Sequence, residues 1–333
     1  MDTDWFSGFE LKRIPTGEGE TSVRVGGRPD APPLLLLHGF PQTHVMWHRV
    51  ARALAPHYRL VLPDVRGYGD ASHAPGESDH ANYSKRAMAQ DIVDVATALG
   101  IGRFFLCGHD RGGRVAHRLA LDHPTRVRKL CVIDIAPTLD MYSGNWGNRG
   151  QIPISDGKLD GKLESDPDFP DPNFLFARAY YHWFHLIQPA PLPELMIGGN
   201  ARAYLHTKLG GWGSAQGGVR LPHIEPQALA EYERCFCRAE AIHSACEDYR
   251  ASAGIDLEHD RESRERGQRI ACDTLVLWGQ RGVVQKLFDP LALWQAQCAG
   301  TVSGQAMPAG HFIPEELPEA TAAALRGFMT TTD

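Results

Sequence analysis

Phe104-Phe105-Leu106-Cys107-Gly108-His109-Asp110-Arg111-Gly112 is the stretch on which the fold turns. Four apolar residues read as a short buried strand. The run breaks at glycine, and Arg111 to Leu121 then places apolar residues at helical spacing. A strand, Gly-x-Asp-x-Gly and a helix together describe a sharp turn that projects one side chain above a sheet. The flanking glycines are needed because so tight a turn leaves no room for a nearby Cβ. The projecting residue is Asp110, and a carboxylate there attacks carbon by displacement, leaving an ester on the enzyme. Capping of the helix at Arg111 is the plainer role for such an Asp. Strand before and helix after favour the nucleophile.

Outward from this turn the pattern repeats. Extended segments near Phe9–Ile14 and Ser22–Val25 open the chain. Compact apolar runs follow at Pro33–Leu37, Arg59–Pro63, Phe104–Cys107, Leu130–Ile133 and Thr274–Trp278, with helical patterns at Ser84–Leu99 and Arg111–Leu121. Apolar strands alternating with amphipathic helices indicate an α/β fold whose parallel sheet is covered on both faces. From Leu139 to Glu247 the rhythm is interrupted. A Gly/Asn/Asp/Pro-rich stretch, Ser143 to Asn173, leads into aromatic-rich helical sequence without comparable strand runs. The expected division is a core over 1–138 and 248–333, with a helical cap over 139–247 closing on the carboxyl ends of the strands.

The 333 residues are 43% apolar and 22% charged, as in a globular protein with a sizeable core. A net charge of −6 argues against nucleic-acid binding. Met1 to Trp5 carries two acids and no apolar run, unlike a secretory signal, and Leu34–Leu37, the longest aliphatic run, is too short to span a membrane. Seven cysteines without framework spacing fit reduced thiols and a cytoplasmic location. Cys235-x-Cys237 has no second pair beside it, so no metal site is expected.

A nucleophilic Asp needs a base and a group to orient that base. His311, in Ala309-Gly310-His311-Phe312, lies after the last strand, where the base arrives in the nucleophile–acid–His chain order. It would take a proton from the water that cleaves the ester. The loop after Thr274–Trp278 offers no carboxylate, which leaves Asp134 as the orienting acid and Asp140 and Asp289 as fallbacks. His38-Gly39-Phe40-Pro41 matches an oxyanion-hole loop, so the N–H groups of Phe40 and Arg111 are expected to form the hole. Arg111 and Arg114 lie three apart on the first helical turn and share one face. Two guanidinium groups beside a carboxylate nucleophile offset its repulsion of an anion and suit bidentate recognition of a second carboxylate. A surface ion pair is the ordinary alternative for Arg114.

His38 to Arg49, Gly108 to Arg114, Asp134 to Thr138, His182-Trp183, Gln188 to Glu194, Cys246 to Arg250 and Gly310 to Glu316 together resemble the haloacetate (fluoroacetate) dehalogenase family across nearly the whole chain. The resemblance implies an α/β-hydrolase fold with an eight-stranded, mostly parallel sheet and an inserted cap. It implies hydrolysis of a small anionic haloacid to glycolate and halide without metal or organic cofactor, in a homodimer. It implies that Asp110 attacks the halogen-bearing carbon, that His311 with Asp134 activates water, and that Arg111 and Arg114 hold the carboxylate. His182, Trp183 and Tyr249 match the halide-binding positions. Three N–H and O–H donors in a dry pocket suit a poor leaving group such as fluoride. Ser143–Asn173 looks like an insertion of roughly two dozen residues or more relative to the family's usual cap, and Gly113 stands where alanine is expected. An epoxide hydrolase would share the Asp–His–acid machinery and use cap tyrosines, for which Tyr180, Tyr181, Tyr204 and Tyr249 are available. A non-catalytic binding protein of the same fold would usually lack one of the three groups.

Overall fold

The computed structural model of the protein describes residues 4–143, 172–211 and 221–330. Eight strands form one sheet in the order β1-β2-β4-β3-β5-β6-β7-β8. They are β1 (Glu10–Thr16), β2 (Gly19–Gly27), β3 (Pro33–Leu37), β4 (Arg59–Pro63), β5 (Phe104–His109), β6 (Val127–Ile133), β7 (Thr274–Gly279) and β8 (Val302–Met307). β1 and β2 pair antiparallel, as do β2 and β4, and every later pairing is parallel.

The leucine run of β3 and the Phe-Phe-Leu-Cys run of β5 are buried throughout, as expected for strands covered on both faces. β8 escaped the apolar-run criterion. It is an edge strand, Val-Ser-Gly-Gln-Ala-Met, with only Met307 fully buried.

The register decides where the chemistry can sit. Leu37 pairs with Gly108, His109 with Ile133, and Gly279 with Met307, so the carboxyl ends of β3, β5, β6, β7 and β8 finish at one edge. The residues just beyond them are His38–Phe40, Asp110, Asp134, Gln280 and Ala309–His311. From β3 the chain moves to β4 on one side and then to β5 on the other, creating the crevice where open α/β sheets bind ligands.

Helices α1 (His48–Leu54), α2 (Lys85–Ala98), α3 (Arg111–Asp122) and α4 (Thr138–Met141) belong to the first half. Helices α5 (Pro172–Ala179), α6 (Tyr181–Leu186), α7 (Leu192–Gly198), α8 (Ala201–Gly211), α9 (Pro226–Phe236), α10 (Ala239–Ala253) and α11 (Ile255–Glu265) follow without a strand between them among the described residues. After β7 come α12 (Val283–Leu287) and α13 (Pro290–Gln297); α14 (Ile313–Glu316) and α15 (Pro318–Phe328) close the chain.

The division drawn at 247 falls inside α10, which carries continuous helix from Ala239 to Ala253. Of the long Gly/Asn/Asp/Pro-rich stretch Ser143–Asn173, residues 144–171 lie outside the described residues. One cluster of buried side chains runs from the sheet into these helices and includes Phe176, Trp183, Leu186, Ile197 and Tyr249.

Candidate active site

Asp110 is not an ordinary helix cap. Its backbone has φ +49° and ψ −117°, and its side chain makes no capping bond to α3. A positive φ at a residue bearing a Cβ is strained and persists only where its surroundings enforce it. Here they do. A Cβ on Gly108 would lie 2.3 Å from the Gly112 carbonyl oxygen, and one on Gly112 would lie 2.3 Å from that of His38. A Cβ on Gly39 would meet the Asp110 side chain itself at 2.6 Å. The glycines let β3, β5 and α3 close tightly enough to push the carboxylate up.

Asp110 Oδ1 accepts a hydrogen bond of 3.0 Å from the Phe40 N–H. This is one of the two donors expected for the oxyanion hole; the Arg111 N–H makes no hydrogen bond to the carboxylate. Asp110 Oδ2 lies 3.8 Å from His311 Nε2. His311 Nδ1 is 2.6 Å from Asp134 Oδ2, and the other oxygen of Asp134 accepts the Gly279 N–H at 2.8 Å. Asp134 also has a positive φ, +48°, at the end of β6. The structure thus brings Asp110, His311 and Asp134 into one line. The fallbacks are engaged elsewhere: Asp140 with Arg264, and Asp289 with the Ala292 N–H at the start of α13.

His109, which reads as a spacer inside the turn, holds this line from below. Its Nε2 lies 2.8 Å from the His311 carbonyl oxygen, a bond that requires the proton on Nε2. Burial, reinforced by the charge of His311, lowers its pKa to about 3, so it stays neutral. Its distance from His311 in sequence is why no local pattern reveals this role.

The two arginines are unequal. Arg111 is pinned to Asp248 of α10: its Nε and Nη2 donate to the two carboxylate oxygens at 2.8 and 2.6 Å, and Nη2 also reaches the Asp248 carbonyl and Ser252 Oγ. Only its Nη1 is buried without a partner. Arg114 has no carboxylate partner among the described residues. Its Nη2 contacts Met141 Sδ at 3.2 Å, while Nε and Nη1 are buried and unpartnered. Burial, then the charge of Arg111, lowers its pKa. An anion between the two guanidinium groups would satisfy three orphaned donors and relieve both penalties.

His182 and Tyr249 meet against Phe40. The His182 ring stacks on Phe40 at 6.0 Å, and the Tyr249 ring stands edge-on to Phe40 at 5.4 Å and to His182 at 5.6 Å. Burial lowers the His182 pKa far below its ordinary value and raises that of Tyr249, so the first is neutral and the second keeps its proton. The Tyr249 hydroxyl is buried without a partner. Trp183 is turned toward the clamp: it stacks on Tyr142 at 4.8 Å, and the Arg114 guanidinium lies 5.0 Å from its ring. Tyr142, given no role by sequence, also carries a buried, unpartnered hydroxyl beside Arg114.

The chain has close relatives with this arrangement of elements. A fluoroacetate dehalogenase from Burkholderia sp is 40% identical over 98% of this chain and 95% of its own length. The chain belongs to the fluoroacetate dehalogenase family. The family model for the alpha/beta hydrolase fold matches residues 32–157. An alpha/beta hydrolase structure from Nostoc sp PCC 7120 superposes with a TM-score of 0.84 at 47% identity, covering 98% of this chain and 99% of that one. A soluble epoxide hydrolase from Corynebacterium is less similar, at 27% identity over 86% of each chain. Within this dehalogenase family the chain is a hydrolase acting on carbon–halide bonds.

Proposed function

We propose that the protein hydrolyses small 2-haloacids, fluoroacetate or chloroacetate giving glycolate and halide, with Asp110 as nucleophile. The observation that carries this reading is the pair Arg111 and Arg114 beside Asp110, with three buried guanidinium nitrogens lacking partners among the described residues. They would seat the substrate carboxylate. Asp110 Oδ1 stays with the Phe40 N–H, so Oδ2 attacks the α-carbon and the carbon–halogen bond breaks as the ester forms. The departing halide takes the electron pair and meets the donors of His182, Trp183 and Tyr249. A water between His311 Nε2 and the ester then gives its proton to His311 and attacks the carbonyl carbon. The oxyanion forms at Oδ1, where a pre-aimed donor stabilises developing charge. Collapse breaks the Cγ–Oδ2 bond; the leaving alkoxide takes the proton from His311 and departs as glycolate, and loss of the remaining carboxyl proton to solvent restores Asp110.

Wild type is expected to release fluoride or chloride from the haloacetates, and Asp110→Asn none. Absence of halide from fluoro-, chloro- and bromoacetate at every pH between about 7 and 9, across which a histidine base loses its proton, would overturn the reading. Epoxide hydrolysis is the second reading, favoured by the Corynebacterium relative and by the protonated Tyr249 hydroxyl; styrene oxide turnover without halide release would establish it.

A homodimeric assembly is part of the proposal. Among the described residues the exposed large apolar side chains fall almost entirely between 174 and 196, with Leu195 70% and Met196 63% exposed on α7. Patches of this kind mark contacts. Leu195→Lys with Met196→Lys should sediment as a monomer where wild type is a dimer; a monomeric wild type would dismiss the assembly. A cytoplasmic location is proposed from seven cysteines that are all free thiols. Among the described residues no helix is long and apolar enough to cross a membrane.

A further inference from the structure

We propose that Asp248 is the positioning residue of the carboxylate clamp, fixing which edge of Arg111 faces the substrate; this rests on the haloacid reading above. Asp248 is fully buried at the middle of α10. It accepts from Arg111 Nε at 2.8 Å and Nη2 at 2.6 Å, from the Tyr68 hydroxyl at 2.5 Å, and from Lys85 Nζ. Lys85 lies at the start of α2 and Tyr68 in the loop after β4, so three core segments and one helix of the cap region meet at a single carboxylate.

A free arginine presents five N–H donors in a rigid fork. Asp248 occupies one whole edge of that fork, and its carbonyl and Ser252 Oγ take the remaining bonds of Nη2. What is left is Nη1, the unpartnered nitrogen. The clamp is therefore asymmetric. Arg114, with no acid among the described residues, brings the uncompensated charge, while Arg111, already paired, brings one nitrogen with its two N–H donors held in a fixed direction. The Tyr249 ring holds the same guanidinium from its face at 4.1 Å. Because Tyr249 follows Asp248 in sequence, one turn of α10 sets the spacing between the carboxylate and the proposed halide donor. Lys85 keeps the arrangement neutral, since it also pairs with Asp256 at 3.3 Å, whose other oxygen accepts the Lys85 N–H at 2.7 Å.

Loss of the Asp248 charge should free the Arg111 fork to turn, weakening the grip on any small carboxylate. Bonds to a charged group correspond to about tenfold or more in affinity. The test titrates acetate, a carboxylate without a leaving group, into wild type, Asp248→Asn and Ser252→Ala by calorimetry, and measures KM and kcat with chloroacetate. Asp248→Asn is expected to raise the acetate Kd and the KM about tenfold while kcat moves much less. Ser252→Ala removes one neutral acceptor from Arg111 and the hydroxyl bond to Asp256, which keeps its pairing with Lys85, and should raise both about twofold to threefold. It serves alone if Asp248→Asn does not fold.

A purely structural Asp248 would lower the active fraction, hence kcat, and leave acetate Kd and KM unchanged; that result in the folded variants overturns the proposal. Wild type that binds no acetate overturns it too. Wild type that binds acetate but releases no halide refutes the dehalogenase reading alone, and the calorimetry still decides the role of Asp248.

Discussion

His311 faces two carboxylates at once, Asp134 at 2.6 Å and Asp110 at 3.8 Å, and its titration follows from them. Burial pulls its pKa down, but the hydrogen bond and charge of Asp134, helped by the charge of Asp110, outweigh burial and raise it above 6.5. The consequence for stability has a definite sign. A histidine whose folded pKa is raised contributes stability that is complete below 6.5 and is lost as pH rises through the folded value. The consequence for catalysis runs the other way, since only neutral His311 can take a proton from water. When ester hydrolysis limits turnover, kcat should therefore climb with pH to a midpoint set by His311 beside Asp134. Esterification removes the Asp110 charge, so that midpoint should lie below the one seen for His311 in the free enzyme by NMR. A kcat flat between about pH 5.5 and 8 would contradict this assignment of the base. In His311→Ala the first step survives. One halide per site should appear in a burst, followed by turnover slower by about 10²–10⁴-fold, with the ester visible by mass spectrometry. That Asp110 and His311 would come together was legible, because the turn glycines and the chain order mark both positions. The inequality of Arg111 and Arg114 was not legible, because Asp248 stands 137 positions from Arg111 in the chain.

At the scale of elements, the turn between β5 and α3 is specified by glycines that act in different ways. A Cβ on Gly112 would lie 2.3 Å from the His38 oxygen and 2.6 Å from that of Leu37, both backbone atoms of β3 and its loop that cannot step aside. At Gly113 the nearest obstacle is Ile135 Cγ2 at 2.7 Å, the branch methyl of a buried side chain stiff at χ1, with the Gly108 oxygen next at 3.1 Å. Gly112→Ala should thus destabilise by about 2–3 kcal/mol and pull Asp110 out of line, whereas Gly113→Ala, which displaces one methyl group and not the strand backbone, should cost less. Thermal or urea unfolding of the two variants decides it; equal losses would mean the turn tolerates no Cβ anywhere. The same contrast explains what the chain reveals of its architecture. β3 and β5 are readable because burial on both faces demands continuous apolar residues. β8 is an edge strand and carries almost none of that signal. The limits of α10 were equally hidden, since the helix runs through the point where composition changes, and its second half delivers Asp248, Tyr249 and Ser252 to the core.

For the molecule as a whole, what matters is how the helices over the sheet stay registered on the catalytic line, and a buried hydrogen-bonded cluster beside His311 supplies one fastening. Glu315 of α14 accepts from the Tyr232 hydroxyl of α9 at 2.9 Å and from Gln42 Nε2, in the loop after β3, at 2.5 Å. Three segments distant in sequence meet there, four residues beyond His311. Burial drives the Glu315 pKa up from 4.5 to about 8, with the bonds from Tyr232 and Gln42 and the charge of Arg49 only partly opposing it. The sign differs from that of a paired carboxylate. Between 4.5 and about 8 the folded protein binds the proton that the unfolded chain has released, so the Glu315 contribution to stability declines as pH rises across that window. Glu315→Gln keeps the shape and removes the ionisation. It should match wild type near pH 5, where both side chains are neutral in the folded state, and exceed it in Tm increasingly toward pH 9. The buried Gln42 Oε1 has no partner among the described residues, so Gln42 can turn its amide to accept from the amide nitrogen that the substitution introduces. A variant less stable than wild type at pH 9 would show that Glu315 is held as a charged anchor, and that the fastening between α9 and α14 is ionic.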